Sequence, residues 1–197
     1  MTIKVYASLA GSLLLVALPV LADEHLSYPF YIGSTLGFSQ ADQDCEYYNY
    51  ECDGEDVSFS FYVGKRFHEN LAFEVAYMDL GKLDNKRGLY TTTGETTGFN
   101  FSVLGIIPSA NFGYLYGKAG MMAWETDYTR VDHTTTTTTS SDDNGTDFTF
   151  GIGYAFTFQN KYEFRIELER LNELDDNFNS GGSYITNLSL GGNIHFE

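Results

Sequence analysis

A chain of 197 residues with 27 Asp and Glu against 11 Lys and Arg carries a formal charge of −16 at pH 7, which excludes a general nucleic-acid binder, since that needs a basic footprint to displace counterions from phosphates. With 43% apolar and 16% aromatic residues it is not an ordinary disordered chain, and with 2 Cys it is not a disulfide-dense miniprotein. What remains is a one-domain, acidic β protein with 20 Gly, 16 Phe, 15 Tyr and only 3 Pro.

Residues 1–22 read as an address. Lys4 precedes the apolar run 9–18, and Pro19-Val20-Leu21-Ala22 closes it with the small and apolar residues a signal peptidase accepts. The run is short for a membrane helix, which takes about 20 residues. A signal peptide over 1–22, cut after Ala22, and a single domain over 23–197 are therefore expected. No later stretch is as apolar, so membrane residence would have to be through strands.

Alternation with a period of two then recurs along the chain and marks strands. Phe30, Ile32, Leu36 and Phe38 alternate with Tyr31, Gly33, Thr35 and Gly37; Val57, Phe59, Phe61 and Val63 alternate with Ser58, Ser60, Tyr62 and Gly64. Leu71, Phe73, Val75 and Tyr77 oppose Ala72, Glu74 and Ala76, and Phe99, Phe101 and Val103 oppose Asn100 and Ser102. The contrast weakens where Leu115, Gly117, Ala119 and Met121 oppose Tyr116, Lys118 and Gly120. It is strongest where Phe148, Phe150, Ile152, Tyr154, Phe156 and Phe158 enclose Thr149, Gly151, Gly153, Ala155 and Thr157. Tyr162, Phe164, Ile166 and Leu168 oppose Glu163, Arg165, Glu167 and Glu169, and Leu188, Leu190, Ile194 and Phe196 oppose Asn187, Ser189, Gly191, Asn193 and His195.

Short connections at 68–70, 108–111 and 159–161 alternate with long polar ones at 41–55, 84–95, 133–145 and 175–183. That asymmetry predicts an all-β, eight-stranded antiparallel up-and-down transmembrane β-barrel, with termini on the short-turn, periplasmic rim and long loops extracellular. A soluble barrel alternates too, with its apolar face inward. Here the face opposite the Phe and Leu residues holds mainly Gly, Ala, Ser, Thr and Asn, sizes that fit the side-chain-filled interior of eight strands. The aromatic face is therefore expected to meet lipid.

The segment Ser189-Leu190-Gly191-Gly192-Asn193-Ile194-His195-Phe196 fits the polar–x–Gly–x–x–apolar–x–aromatic pattern read by the outer-membrane assembly machinery, with Ser189, Gly191, Ile194 and Phe196 as its marked positions and Glu197 following the aromatic residue. With Phe30-Tyr31-Ile32-Gly33, Tyr77-Met78-Asp79-Leu80-Gly81 and Tyr116-Gly117-Lys118-Ala119-Gly120, the whole stretch after the leader resembles the OmpA-like transmembrane domain and the opacity-type surface proteins, eight-stranded barrels of Gram-negative outer membranes. The resemblance covers the membrane domain, so no peptidoglycan-binding domain or cell-wall tether is carried over. It implies a lumen ion-pair network among Glu74, Lys118, Glu163, Arg165, Glu167 and Glu169, with Lys118 and Arg165 bridging Glu74 and Glu167. Such a network could gate a narrow conductance path or simply fill the barrel; eight strands leave no open bore, which favours filling.

Cys45 and Cys52, with six residues between them in an exported context, are expected to form a local disulfide; two thiolate metal ligands would lack nearby His. Asp42, Asp44, Glu46, Glu51, Asp53, Glu55 and Asp56 crowd the same loop, in a spacing that matches no EF-hand, so a solvated acidic loop is expected rather than a Ca²⁺ site. Tyr47, Tyr48 and Tyr50 could serve adhesion. The tract 133–145, with its run of Thr, reads as a mobile tip. Lipid A-modifying barrels use His with Ser and an acid; His25, His68, His133 and His195 form no such arrangement by topology, so no enzyme is expected. The function read from sequence is structural or surface-interactive, adhesion-like, with a low-conductance porin-like channel as the alternative. The expected partners are outer-membrane lipid and lipopolysaccharide, the barrel-assembly machinery and an extracellular ligand at the loops, with no cofactor and no nucleic acid, for a monomer.

Overall fold

A computed structural model describes residues 29–42, 51–53, 55–87, 90–109, 113–159, 161–172 and 184–196. The expected leader 1–22, Cys45, the connection 175–183 and Glu197 lie outside them. The strands are β1 (Phe30–Asp42), β2 (Glu51–Asp53), β3 (Glu55–His68), β4 (Leu71–Arg87), β5 (Tyr90–Ser109), β6 (Gly113–Asp132), β7 (Thr137–Phe158), β8 (Tyr162–Asn172) and β9 (Tyr184–Phe196). Each pairs antiparallel with its neighbours in the order β4-β3-β1-β9-β8-β7-β6-β5, and β4 pairs with β5 to close the ring. The three-residue β2 continues the line of β3 against β4, placing Cys52 opposite Asn85. The barrel is therefore eight-stranded, all-antiparallel and up-and-down. Closure is what hydrocarbon requires, because an open edge would leave backbone groups without partners.

The apolar faces point outward. Phe150, Phe156 and Leu190 are 52%, 52% and 65% exposed, while Glu74, Asn100 and Thr149 are fully buried. On β7 the outward apolar stretch runs from Phe148 to Phe158. At about 3.4 Å per residue and a tilt of roughly 40°, that stretch rises about 26 Å, the height of an outer-membrane apolar band.

The interior is less uniformly small than its Gly, Ser and Thr content predicts, since Tyr31, Tyr62, Tyr114 and Tyr116 are all buried there. Space for the rings comes from glycine directly across the ladder: Tyr31 pairs with Gly64, Tyr62 with Gly33 and Tyr116 with Gly153. A Cβ at any of these glycines would overlap the facing ring.

One rim carries Phe30 and Phe196, paired and stacked at 6.1 Å, together with the three short connections. The other rim differs from expectation. The connections 84–95 and 133–145, read from sequence as long loops, are largely strand: β4 and β5 stay paired to Arg87 and Tyr90, and β6 and β7 to Asp132 and Thr137. The Thr-rich tract predicted to be a mobile tip is a turn at 133–136 followed by β7. Thr is β-branched and suits a pleated backbone, and its pairing with β6 supplies what the local pattern lacks.

Candidate functional site

Alternation places Glu74 on β4, Lys118 on β6 and Glu163, Arg165, Glu167 and Glu169 on β8, all pointing into the lumen and all buried. Closure brings five of them into one cluster. Lys118 Nζ lies 3.4 Å from Glu74 Oε1, 3.2 Å from Glu167 Oε1 and 3.3 Å from Glu169 Oε2. Arg165 reaches Glu74 Oε2 at 2.8 Å and Glu167 Oε2 at 3.9 Å, with its guanidinium 3.6 Å from the centre of the Tyr62 ring. Tyr31 donates to Glu74 and Tyr116 to Glu167, at 3.3 and 2.7 Å, and Asn100 Nδ2 donates to Glu169 Oε1 at 2.7 Å. Buried ions persist only when paired and hydrogen-bonded, and here every carboxylate has both a cation and a neutral donor.

The sixth charge stands apart. Glu163, nearer the short-turn rim, lies 3.4 Å from Arg66 Nη2 and 3.1 Å from His195 Nε2, and accepts from Asn193 Nδ2 at 2.8 Å. Arg66 also lies over the Tyr114 ring at 4.3 Å. Arg66, Asn193 and His195 are absent from the sequence-derived network although parity points all three inward. Arg66 escaped because the β3 alternation loses contrast after Val63.

The residues of the terminal pattern divide by face. Ser189 is buried in the lumen and Gly191 faces Thr35 of β1, while Ile194 and Phe196 are exposed on the lipid side. Of the expected disulfide, Cys45 lies outside the described residues and only the backbone of Cys52 is described. Asp56, grouped with the acidic loop from sequence, spends both oxygens on backbone amides: Oδ1 accepts from Val57 N at 2.7 Å and Oδ2 from Lys82 N at 2.5 Å. It thereby holds a bulge in β4 at Gly81, whose φ of 77° suits glycine. His133 Nε2 lies 2.9 Å from Thr91 Oγ1, His68 Nδ1 accepts from Asn70 N, and His25 lies outside the described residues.

Beyond this bulge β4, β5, β6 and β7 continue as a projecting sheet. The outward row Phe99, Ala123 and Thr146 is followed by Thr97, Glu125 and Asn144, where the apolar band ends. The pairing of β7 with β8 ends at Thr149, so 137–148 runs on for about 40 Å of strand, its outer edge without a partner strand among the described residues. The sheet is tied by Thr96 to Thr126 at 2.9 Å, by Lys82 to Glu95 at 3.3 Å, by Arg130 over Tyr90 at 4.2 Å and by Trp124 Nε1 donating to Asp147 at 2.5 Å. One outward row sets Glu95, Asp127 and Asp142 directly opposite one another.

This architecture is similar to solved outer-membrane barrels. The attachment invasion locus protein Ail of Yersinia pestis, in a complex with the heparin analogue sucrose octasulfate, is 13% identical with a TM-score of 0.51, covering 85% of this chain and 99% of Ail. Neisserial surface protein A is 13% identical with a TM-score of 0.60, covering 85% and 97%. No curated protein matches by sequence. The profile of the OmpA-like transmembrane domain matches residues 27–197. With a closed eight-stranded ring, a lipid-facing aromatic belt and a charge-paired interior, the chain belongs to the OmpA-like transmembrane domain family of outer-membrane β-barrels.

Proposed function

We propose that this barrel is a structural and surface-interaction protein, monomeric and filled, that carries a sheet out of the membrane for contact with another molecule. The projecting sheet is the observation that carries the reading: its four strands stay paired far beyond the row where the lipid band ends, a length that anchorage in the bilayer does not require. In this reading the sheet is extracellular and the short-turn rim periplasmic, lipopolysaccharide surrounds the outer half of the band, and the assembly machinery reads β9. No cofactor and no catalysis are involved.

The row Glu95, Asp127 and Asp142 suggests the partner's chemistry. Like charges directly opposite on neighbouring strands destabilise a sheet; Lys82 offsets Glu95 at 3.3 Å, and the potential at Asp127 and Asp142 suits a partner presenting Lys or Arg. Ail was crystallised with a polysulfated ligand; the acidic row here favours the opposite charge.

The test shortens both projecting hairpins, at 82–95 and 127–142, to tight turns, which removes Glu95, Asp127 and Asp142, and follows adhesion of expressing cells to polylysine-coated and matrix-coated surfaces. Heat-modifiable gel migration is expected to persist while adhesion is lost, and E95Q/D127N/D142N is expected to weaken adhesion and its salt dependence. Undiminished adhesion without the hairpins refutes the proposal. Planar-bilayer recordings of the wild type and Lys118→Ala are expected to be silent; wild-type conductance steps that change in Lys118→Ala would establish the channel instead. A lipid A mass shift on expression would establish an enzyme.

A further inference from the structure

The closing strand faces a register problem that its lipid side cannot solve. Because side chains alternate with a period of two, sliding β9 by two residues along β1 and β8 keeps every apolar residue facing hydrocarbon. In the observed register Ile32, Leu36 and Phe38 face Ile194, Leu190 and Leu188, and Ile166 and Leu168 face Leu190 and Leu188. After a two-residue slip in one direction these five would meet only apolar residues or glycine; in the other Phe38 and Leu168 would meet Thr186, and in both Ser34 would meet Leu190 or Ile194 in place of Gly192, differences small beside those in the lumen.

The lumen side does distinguish the registers. There β9 presents Asn187, Ser189, Asn193 and His195, all buried. From β8, Glu163 accepts from Asn193 Nδ2 at 2.8 Å and lies 3.1 Å from His195 Nε2. From β3, on the far side of β1, Tyr62 donates to Asn193 Oδ1 at 2.9 Å and Ser58 to Asn187 Oδ1 at 2.6 Å. Arg66, also on β3, reaches Glu163 at 3.4 Å. The order β3-β1-β9-β8 means that β3 and β8 become neighbours across the lumen only after β1 and β9 have paired. A slip of two residues displaces each β9 side chain by roughly 7 Å, breaking together the four contacts that Asn187, Asn193 and His195 make here.

We propose that Glu163, with Ser58, Tyr62 and Arg66, forms a register-determining site that receives Asn193 and His195 as the barrel closes. The outward Ile194 and Phe196 of the terminal pattern keep their lipid-side role, and the inward residues between them set where the strand stops. The site meets the Lys118 cluster at Tyr62, whose ring lies against the Arg165 guanidinium, but the ion pairs and hydrogen bonds of that cluster described above involve no β9 residue.

Disulfide mapping tests the proposal in protein refolded into lipid vesicles, in a C45S/C52S background. L36C/L190C reports the observed register, and L36C/L188C and L36C/G192C report the two slipped ones. With Glu163 present, oxidation is expected to trap the L36C/L190C pair predominantly. In Glu163→Ala the ratio of slipped to native product is expected to rise on the order of tenfold, the factor one charge-assisted hydrogen bond supports. Asn193→Ala, which keeps the Arg66 ion pair, is expected to raise it several-fold and serves if Glu163→Ala does not insert. Glu169→Ala removes an equally buried carboxylate that touches no β9 residue among the described bonds, and is expected to lower stability without moving the ratio. An unchanged ratio in Asn193→Ala or Glu163→Ala, or an equal rise in Glu169→Ala, overturns the proposal.

Discussion

Replacing Lys118 by Met removes the one cation shared by three buried carboxylates. Its Nζ lies 3.2 to 3.4 Å from Glu74, Glu167 and Glu169, and none of the four side chains is more than 4% exposed. Arg165 would still hold Glu74 at 2.8 Å and Glu167 at 3.9 Å. Glu169 would keep only the Asn100 amide, having no other cation among the described residues. Breaking a buried pair from one side costs about 3–5 kcal/mol, a large share of the roughly 5–15 kcal/mol that separates folded from unfolded in a typical protein. Most of that penalty falls on Glu169, so K118M/E169Q is expected to recover more than half of it in a double-mutant cycle. Urea unfolding in lipid vesicles gives the free energies, and the loss of heat-modifiable migration on gels gives an independent midpoint. A loss below about 1 kcal/mol for Lys118→Met, the range of exposed pairs, or no recovery in the double variant, would show that the cluster does not behave as a coupled, buried network.

Two further outcomes follow from particular contacts and a third from the sequence. Gly64→Ala and Gly153→Ala, whose new Cβ atoms meet the Tyr31 and Tyr116 rings, are expected to lose about 1–3 kcal/mol by overpacking; Gly105→Ala, with open space at its Cβ, is expected to fall within a few tenths of neutral by the same urea measurement. At the projecting tip the backbone amide of Thr134, and then the Thr135 hydroxyl, hold the Asp132 carboxyl below its ordinary value. A depressed carboxyl contributes stability above its unfolded value and loses it as pH falls through the folded one. The 133–136 turn should therefore open in acid, seen as a lower protection factor (exchange relative to the intrinsic rate at the same pH) at the Thr134 amide, and Asp132→Asn should flatten that pH dependence. Maleimide labelling without reductant is expected to modify neither Cys45 nor Cys52, and labelling of both would refute the local disulfide.

The cross-lumen pairings are not legible in any one segment of the sequence. Parity alone pointed Glu163 and His195 inward, yet their meeting with Arg66 depends on which strands flank the seam and by how many residues each is staggered. The projecting sheet was hidden for a different reason. Residues 137–146 are polar on both faces, so alternation carries no contrast there, and only the backbone pairing with β6 makes them a strand. The same loss of contrast after Val63 kept Arg66 out of the expected network. Parity also pointed Tyr31, Tyr62 and Tyr116 inward, but the space for their rings was not legible, because the glycines that make room for them sit on neighbouring strands.

Local order along the chain determined which residues face lipid, since a strand's two-residue period assigns Phe150 and Lys118 to opposite sides whatever lies beside them. It also determined the strand count and the fold family, through strand-length segments set apart by polar connections. Only the closed barrel decided which inward charges touch, how far the outer hairpins extend and where the last strand stops. Those depend on register between strands far apart in sequence, and register is a property of the pairing, carried by no single segment.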